Sequence, residues 1–178
     1  MGAKVIGIAG GAEKCDWLVS ECGIDASIDY KSENVAERLD QLAPEGIDIY
    51  FENVGGDVLE AVIPLLNEGA RVPICGFIAH YNDTPEERRQ TPLQRLKAEG
   101  LRVLGKDGNT DGFAFFAFSA LSAKHPDAVE AVKTMSDWIK SGDLRYRESI
   151  TDGLESAVPA FIGMLDGQNF GKTMVRLT

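Results

Sequence analysis

The 178 residues, 44% of them hydrophobic, are enough for one sizeable core, since single domains run to about 100–200 residues. Acidic residues outnumber basic ones 28 to 18, for a formal net charge of -10, which argues against nucleic acid or an anionic membrane as the main partner. No stretch approaches the ~20 apolar residues of a membrane span, and the N-terminus shows no charged-then-apolar leader.

The first predicted element is a short β-rich strand, Ala3 to Ala9, entered directly from Met1-Gly2. With no loop or helix before it, the chain is expected to begin part-way through a larger architecture. Glu13 to Cys22 follows, with Cys15, Leu18, Val19 and Cys22 at helical spacing and Gly23 as C-cap. ASIDY (Ala26 to Tyr30) is a second strand. Ser32 then opens a helix that ends before Pro44, with Val35, Leu39 and Leu42 on its buried stripe. IDIYF (Ile47 to Phe51) is the third strand, Val58 to Leu66 a third helix stopped at Gly69, and ARVPIC (Ala70 to Cys75) the fourth strand.

Residues Asn82 to Gln94 are charged and carry two prolines, marking an excursion. LRVLG (Leu101 to Gly105) is the fifth strand. Ala128 to Ser141 is a helix expected to turn Val129, Val132, Met135, Trp138 and Ile139 to the core. Between them FAFFAF (Phe113 to Phe118) is apolar on every side and reads as buried core or a subunit contact. From Arg145 onward come a strand in RYRESI, a helix from Leu154 to Leu165, and a strand in the final GQNFGKTMVRLT. This tail breaks the alternation and is assigned to a different sheet. The repeated strand-helix order, with strands too apolar for one-sided exposure, predicts a parallel sheet covered on both faces, a doubly wound α/β fold.

The three cysteines, Cys15, Cys22 and Cys75, have neither CxxC spacing nor an even count, so reduced thiols in a cytoplasmic protein are expected. Cys15 and Cys22 are read as packing residues, because free cysteine is among the most buried types. The two histidines form no ligand cluster with them, and no metal site is expected.

Ligands of such sheets sit outside the carboxyl ends of the strands. The residues there are Gly10, Gly11 and Lys14 after the first strand, Tyr30 and Lys31 after the second, Asn53-Val54-Gly55-Gly56 after the third and Cys75-Gly76-Phe77 after the fourth. Glycine at these corners lets a backbone approach a ligand closely. A site for NAD would want a carboxylate at the end of the first strand to hold the ribose diol. Ala9-Gly10-Gly11 stand there instead, with Lys14 in the first turn of the helix, where a cation opposes the macrodipole at a cost of roughly 0.3–1 kcal/mol. A 2′-phosphate facing Lys14, with a hydrogen bond from Tyr30, would offset that cost and points to NADP. The alternative is a solvated surface lysine, and the adjacent Glu13 favours it.

The segments GAKVIGIAGGAEKC, IDIYFENVGG, ARVPICGFIAHYN, YRESITDGLESAVPAFIGML and GQNFGKTMV extend over most of the chain. In their order and spacing the chain resembles the medium-chain, zinc-independent NADP-dependent oxidoreductases that include prostaglandin and leukotriene reductases, alkenal reductases and curcumin reductase. The resemblance implies a Rossmann-like domain over residues 1–146. It also implies NADP contacts at Lys14 and Tyr30 for the 2′-phosphate, at Asn53, along Cys75, Gly76, Phe77, Ile78 and Tyr81 beside the nicotinamide, and at Asn169. The implied reaction is hydride transfer from NADPH to the β-carbon of an α,β-unsaturated ketone or aldehyde. Tyr81 is the expected proton donor, and Cys75 is not a nucleophile. Relatives place a substrate lobe and a glycine-rich strand-turn-helix before the part seen here, so both are expected to be absent, and residues 147–178 correspond to the segment that completes that lobe. Dimerisation through the nucleotide domain makes a homodimer the expectation.

Two other functions stay open. A non-catalytic dinucleotide-binding or assembly module could keep every motif quoted. A methyltransferase of Rossmann-like fold is disfavoured, since the Asn53-Gly56 corner offers no acidic diol ligand apart from Glu52.

Overall fold

A computed structural model describes residues 2–84, 86–87 and 126–177. These divide into two compact units, Met1–Ser32 with Thr134–Thr178, and Glu33–Lys133. The expected excursion after Asn82 falls largely outside the described residues, and the expected strand Leu101 to Gly105 and the FAFFAF segment fall wholly outside them.

Every described strand pairs in parallel with one other strand, and a helix lies between each pair in the chain. In the first unit β1 (Ile6–Ala9) runs into α1 (Ala12–Ser20) and then β2 (Ala26–Asp29), with Ile6 opposite Ala26 and Ala9 opposite Asp29. Parallel neighbours cannot be joined by a tight turn, so the crossover helix is obligatory. Ile28 is fully buried and Cys15 nearly so; burying a side chain the size of Ile28 contributes about 1.5–3 kcal/mol. The first unit also holds β5 (Glu148–Asp152), a 3-10 turn at Leu154–Ser156, α5 (Ala157–Leu165) and β6 (Lys172–Arg176). Strands β5 and β6 bond to each other from Glu148–Lys172 to Asp152–Arg176. The tail therefore forms its own two-stranded sheet, as its break in alternation suggests.

The second unit contains α2 (Val35–Leu42), β3 (Ile47–Ile49), α3 (Gly56–Val62), a 3-10 turn at Ile63–Leu65 and β4 (Leu66–Arg71). Its core is Leu59, Ile63, Val72 and Ile74, with Tyr50, Leu66 and Phe77 packed against it. A 3-10 turn at Ile78–His80 and helix α4 (Pro126–Ser141) complete the described elements.

Several sequence expectations shift. Asn34, not Ser32, caps α2: its side chain accepts from Glu37 N at 3.2 Å, a cap worth about 1 kcal/mol. Ser32 is used elsewhere, its hydroxyl donating to Asp29 Oδ2 at 2.9 Å. The third helix begins at Gly56 and ends at Val62, and the fourth strand starts early, at Leu66. Gly69, with φ of 78°, lies inside that strand, in the stretch where its register against β3 slips. A positive φ there is open to glycine and closed to most other residues. The chain nevertheless stays aligned beyond β3, since Tyr50 N donates to Arg71 O, Glu52 N to Pro73 O and Cys75 N to Glu52 O at 2.8–3.1 Å.

Among the described residues the strands pair in parallel as β1–β2, β3–β4 and β5–β6, with helices between them, an α/β architecture as expected. Ile49 and Phe51, expected to be covered, are exposed. The apolar row on α4 departs likewise: Val129, Val132, Met135 and Ile139 are exposed, and only Trp138 is half-buried. Helical periodicity reports that these residues share a face, not that anything lies against it. No helix among the described residues is long and apolar enough to cross a membrane.

Candidate functional site

Two strand-end corners carry the sequence-predicted residues. In the first unit the corner is organised by Asp29, at the end of β2. Gly11 N and Lys31 N donate to its Oδ1 at 2.7 and 3.0 Å, and the Ser32 hydroxyl to its Oδ2. These bonds, the one from Gly11 foremost and that from Lys31 next, hold the carboxyl below the usual carboxylate range. Tyr30 N donates to Ala9 O at 3.1 Å, which ties the end of β2 to the end of β1.

Above this frame the side chains of Tyr30 and Lys31 fold over Gly10. A Cβ on Gly10 would stand 2.8 Å from the Tyr30 hydroxyl and 2.9 Å from Lys31 Cε, so a larger residue there would move these side-chain ends. Lys14, half-buried, donates from Nζ to Gly167 O at 2.7 Å. Lys31 Nζ and the Tyr30 hydroxyl also lie near Gly167, 3.5 and 3.9 Å from where its Cβ would be. Two ammonium groups and a phenol thus converge on one patch of a chain whose overall charge is negative. Lys14 is not the solvated surface lysine considered above, and Lys31, placed at this strand end but given no ligand role, joins it. Glu13, beside Lys14, turns away toward Arg147, 3.9 Å distant. Arg147 in turn lies over the Phe170 ring, 3.9 Å from its centroid, and Trp17 meets that ring edge-on. Asn169, between Gly167 and Phe170, donates from its amide to Gly171 O.

The second corner lies in the other unit. Asn53 and Val54 are exposed at its surface, while Glu52 beneath them is fully buried. Glu52 Oε1 accepts from Val54 N at 2.5 Å and Gly55 N at 2.8 Å, and its Oε2 has no hydrogen-bond partner. Buried carboxylates are costly unless so bonded, so this residue fixes the turn rather than meeting a ligand. Burial, and secondarily the charge of Glu52, push the Tyr50 hydroxyl up from its ordinary range.

The segment after β4 closes over the same turn. Ile78 N donates to Asn53 O at 3.2 Å and Ala79 N to Val54 O at 2.9 Å. His80 accepts from Gly56 N through Nε2 at 3.1 Å and meets Asp83 Oδ2 through Nδ1 at 2.6 Å. Cys75, Gly76 and Phe77 line the inner part of this segment, and Ile78 and Tyr81 are exposed on it. Burial raises the Cys75 thiol, away from the thiolate a nucleophile needs. The Tyr81 hydroxyl lies 3.8 Å from where a Cβ on Gly76 would stand. Each corner therefore assembles its own sequence-predicted residues: Gly10, Gly11, Lys14, Tyr30 and Asn169 belong to the first unit, and Asn53 with Cys75 to Tyr81 to the second. Glu52 was weighed only as a diol ligand, and His80 and Asp83 were given no role. The Glu52-Asn53-Val54-Gly55-Gly56 order was a readable signal for the turn; nothing local pairs His80 with Gly56.

Residues 1–118 match the family model described as zinc-binding dehydrogenase. The chain belongs to that family. Among curated members, it is 42% identical over 177 residues to the NADPH-dependent curcumin reductase of Escherichia coli (strain K12), covering 99% of this chain and 49% of that protein. It is 34% identical over 176 residues to prostaglandin reductase 1 of Bos taurus, covering 98% of this chain and 50% of the other. The crystal structure of CurA in complex with NADPH from Vibrio vulnificus superposes with a TM-score of 0.80 at 42% identity, over 99% of this chain and 50% of that one. The chain spans about half the length of the relatives it matches. Despite the family's description, no group of three or more His, Cys, Asp or Glu among the described residues is placed to hold a metal ion.

Proposed function

We propose that this chain is the nucleotide-binding portion of an NADP-dependent reductase of enone or alkenal double bonds. The observation that carries the reading is the convergence of Lys14, Tyr30 and Lys31 over Gly10. This patch fits the 2′-phosphate: two ammonium groups and a hydroxyl donor suit a dianion, and Asp29, the carboxylate at the end of β2, is engaged by backbone amides. The NADPH-dependent curcumin reductase and the NADPH complex of CurA, both 42% identical, support the same cofactor.

In this reading Lys14, Tyr30 and Lys31 hold the phosphate while Gly10 and Gly11 let the ribose approach the backbone. Asn53 and the Cys75–Tyr81 segment line the nicotinamide end, and Asn169 contributes from the tail. Bound NADPH supplies the hydride for the β-carbon of an α,β-unsaturated ketone or aldehyde. Tyr81, or water, gives the proton that the resulting enolate takes up. Residues 147–178 form part of a substrate lobe, for which the exposed Leu154, Val158, Phe161 and Leu165 provide an apolar face. The protein acts in the cytoplasm without zinc and as a homodimer; a monomer in light scattering at high concentration would count against the last point.

The test titrates NADPH and NADH into the chain and its Lys14→Ala variant, read by tryptophan fluorescence. The parent is expected to prefer NADPH and the variant to lose most of that preference. Equal affinities in the parent overturn the reading. Loss of NADPH absorbance with nonenal then tests the chemistry, and binding without turnover favours a non-catalytic module.

A further inference from the structure

We infer that His80 is a positioning residue: as the neutral imidazole it latches the Asn53–Gly56 turn to the segment after β4, and protonation of His80 releases that latch and weakens dinucleotide binding. The affinity part rests on the proposed NADP reading of this corner; the latch itself rests on geometry alone.

Gly56 N–H is a donor, so the Nε2 it reaches at 3.1 Å must be the ring nitrogen with the lone pair. The proton then sits on Nδ1 and is donated to Asp83 Oδ2 at 2.6 Å. Gly56 is the first residue of α3, and Gly55 before it supplies no side-chain cap. His80 therefore provides from a distant segment the acceptor that the helix start lacks. The fit is close: a Cβ on Gly55 would stand 2.6 Å from His80 Cδ2 and 2.8 Å from Nε2, and Gly55 has a φ of 73°. On its other side the ring meets Phe77 edge-on, and Phe77 packs against the buried cluster. The imidazole is thus held between the turn and the core.

An imidazolium carries N–H on both nitrogens and can accept from neither. Its Nε2–H would confront Gly56 N–H, while Nδ1–H would keep its bond to Asp83. Among the described residues, the carboxylates placed by these contacts are Asp83 on the same segment and Glu52 under the turn, and Asp57 stands in the first turn of α3. The carboxylates attract the imidazolium; the Gly56 amide resists it. Because the amide faces Nε2 directly, protonation acts on the turn and not on Asp83. Histidine is the side chain whose unperturbed charge change falls between about pH 5 and 8, which sets the range the test spans.

Two measurements on the whole chain decide this. The first follows the Gly56 amide and the His80 ring protons by NMR from pH 8 to pH 5 without ligand. The Gly56 amide is expected to shift with the His80 midpoint in the parent and to show no such step in His80→Gln, whose side-chain oxygen keeps an acceptor but does not titrate. A Gly56 amide indifferent to His80 titration overturns the latch. The second compares NADP affinity of the parent with that of His80→Gln across the same range, so that titration of the 2′-phosphate cancels in the ratio. The parent is expected to lose about three- to tenfold relative to the variant on acidification, as for one lost hydrogen bond; a flat ratio overturns the coupling to the ligand. If neither protein binds NADP at pH 8, the cofactor reading and the coupling fail together, and the amide titration still rules on the latch.

Discussion

Lys14 Nζ donates to the main-chain oxygen of Gly167, 153 residues further along the chain, at 2.7 Å. The lysine that sits unfavourably in the first turn of α1 thereby anchors the returning tail, using one of its three donors. Replacing it removes a stabilising bond as well as a phosphate ligand. Lys14→Ala should lower stability by about 0.5–1.5 kcal/mol, read as a lower denaturant midpoint. Lys31→Ala should weaken NADPH binding with little change in that midpoint. Equal stability losses in the two variants would remove the distinction.

Gly10 makes room for Tyr30 and Lys31. Gly10→Ala places a methyl group 2.8 Å from the Tyr30 hydroxyl and 2.9 Å from Lys31 Cε, so both side-chain ends must shift from these positions. The variant should lose NADPH affinity at least as much as Lys31→Ala while NADH affinity changes less. A Gly10→Ala protein that binds NADPH like its parent would show that the clustering over Gly10 is irrelevant to the ligand.

Glu52 holds two amides with a single oxygen in a fully buried position. Glu52→Ala leaves Val54 N–H and Gly55 N–H without their acceptor and opens a void. A loss of about 2–4 kcal/mol is expected, since each buried unsatisfied group costs about 1–3 kcal/mol. Glu52→Gln keeps an oxygen for the amides and should lose much less. Chemical denaturation of both variants checks the ordering, and a Gln variant as unstable as the Ala variant would contradict it.

Asp29 has a carboxyl held below its ordinary value by the Gly11 and Lys31 amides. A depressed native value means that its contribution to stability is present above the unfolded value of about 3.9 and fades as pH falls through the native one. Acid titration of stability should show this fall in the parent and a smaller one in Asp29→Asn. Identical acid limbs would contradict the assignment.

Tyr50 presents the opposite sign. Its hydroxyl is raised by burial and by Glu52, so the stability held in the neutral phenol is complete below the unfolded value of about 10 and lost as pH climbs above it. Tyr50→Phe cannot ionise and should flatten the alkaline limb between pH 9 and 11. An unaltered limb would place the alkaline loss elsewhere.

The order of strands and helices was readable because each is written in a few neighbouring residues. Cys15 and Leu18 mark the inner side of α1 and Leu39 that of α2, whereas Gly23, expected to cap α1, lies beyond its end, the helix stopping at Ser20 with Glu21 as C-cap. The glycines at Gly10, Gly11, Gly55 and Gly56 likewise announced corners where the backbone is approached closely, and Lys14 and Tyr30 stand at one corner as expected. Bounds failed where a longer-range bond competed: Ser32 went to Asp29, leaving the cap of α2 to Asn34. They also failed where Gly69 let β4 begin at Leu66.

What the tertiary structure alone decided is the set of partners. Lys14 with Gly167, His80 with Gly56, and Lys31 with Tyr30 over Gly10 depend on how distant stretches return to each other, and hydrogen bonds and steric room exist only once they do. The exposed row on α4 makes the same point from the other side. A side chain's place on a helix is fixed by 3.6-residue periodicity, but its burial is fixed by what packs against that face. Local physics wrote the elements and their corners; contact between remote segments chose which atoms meet.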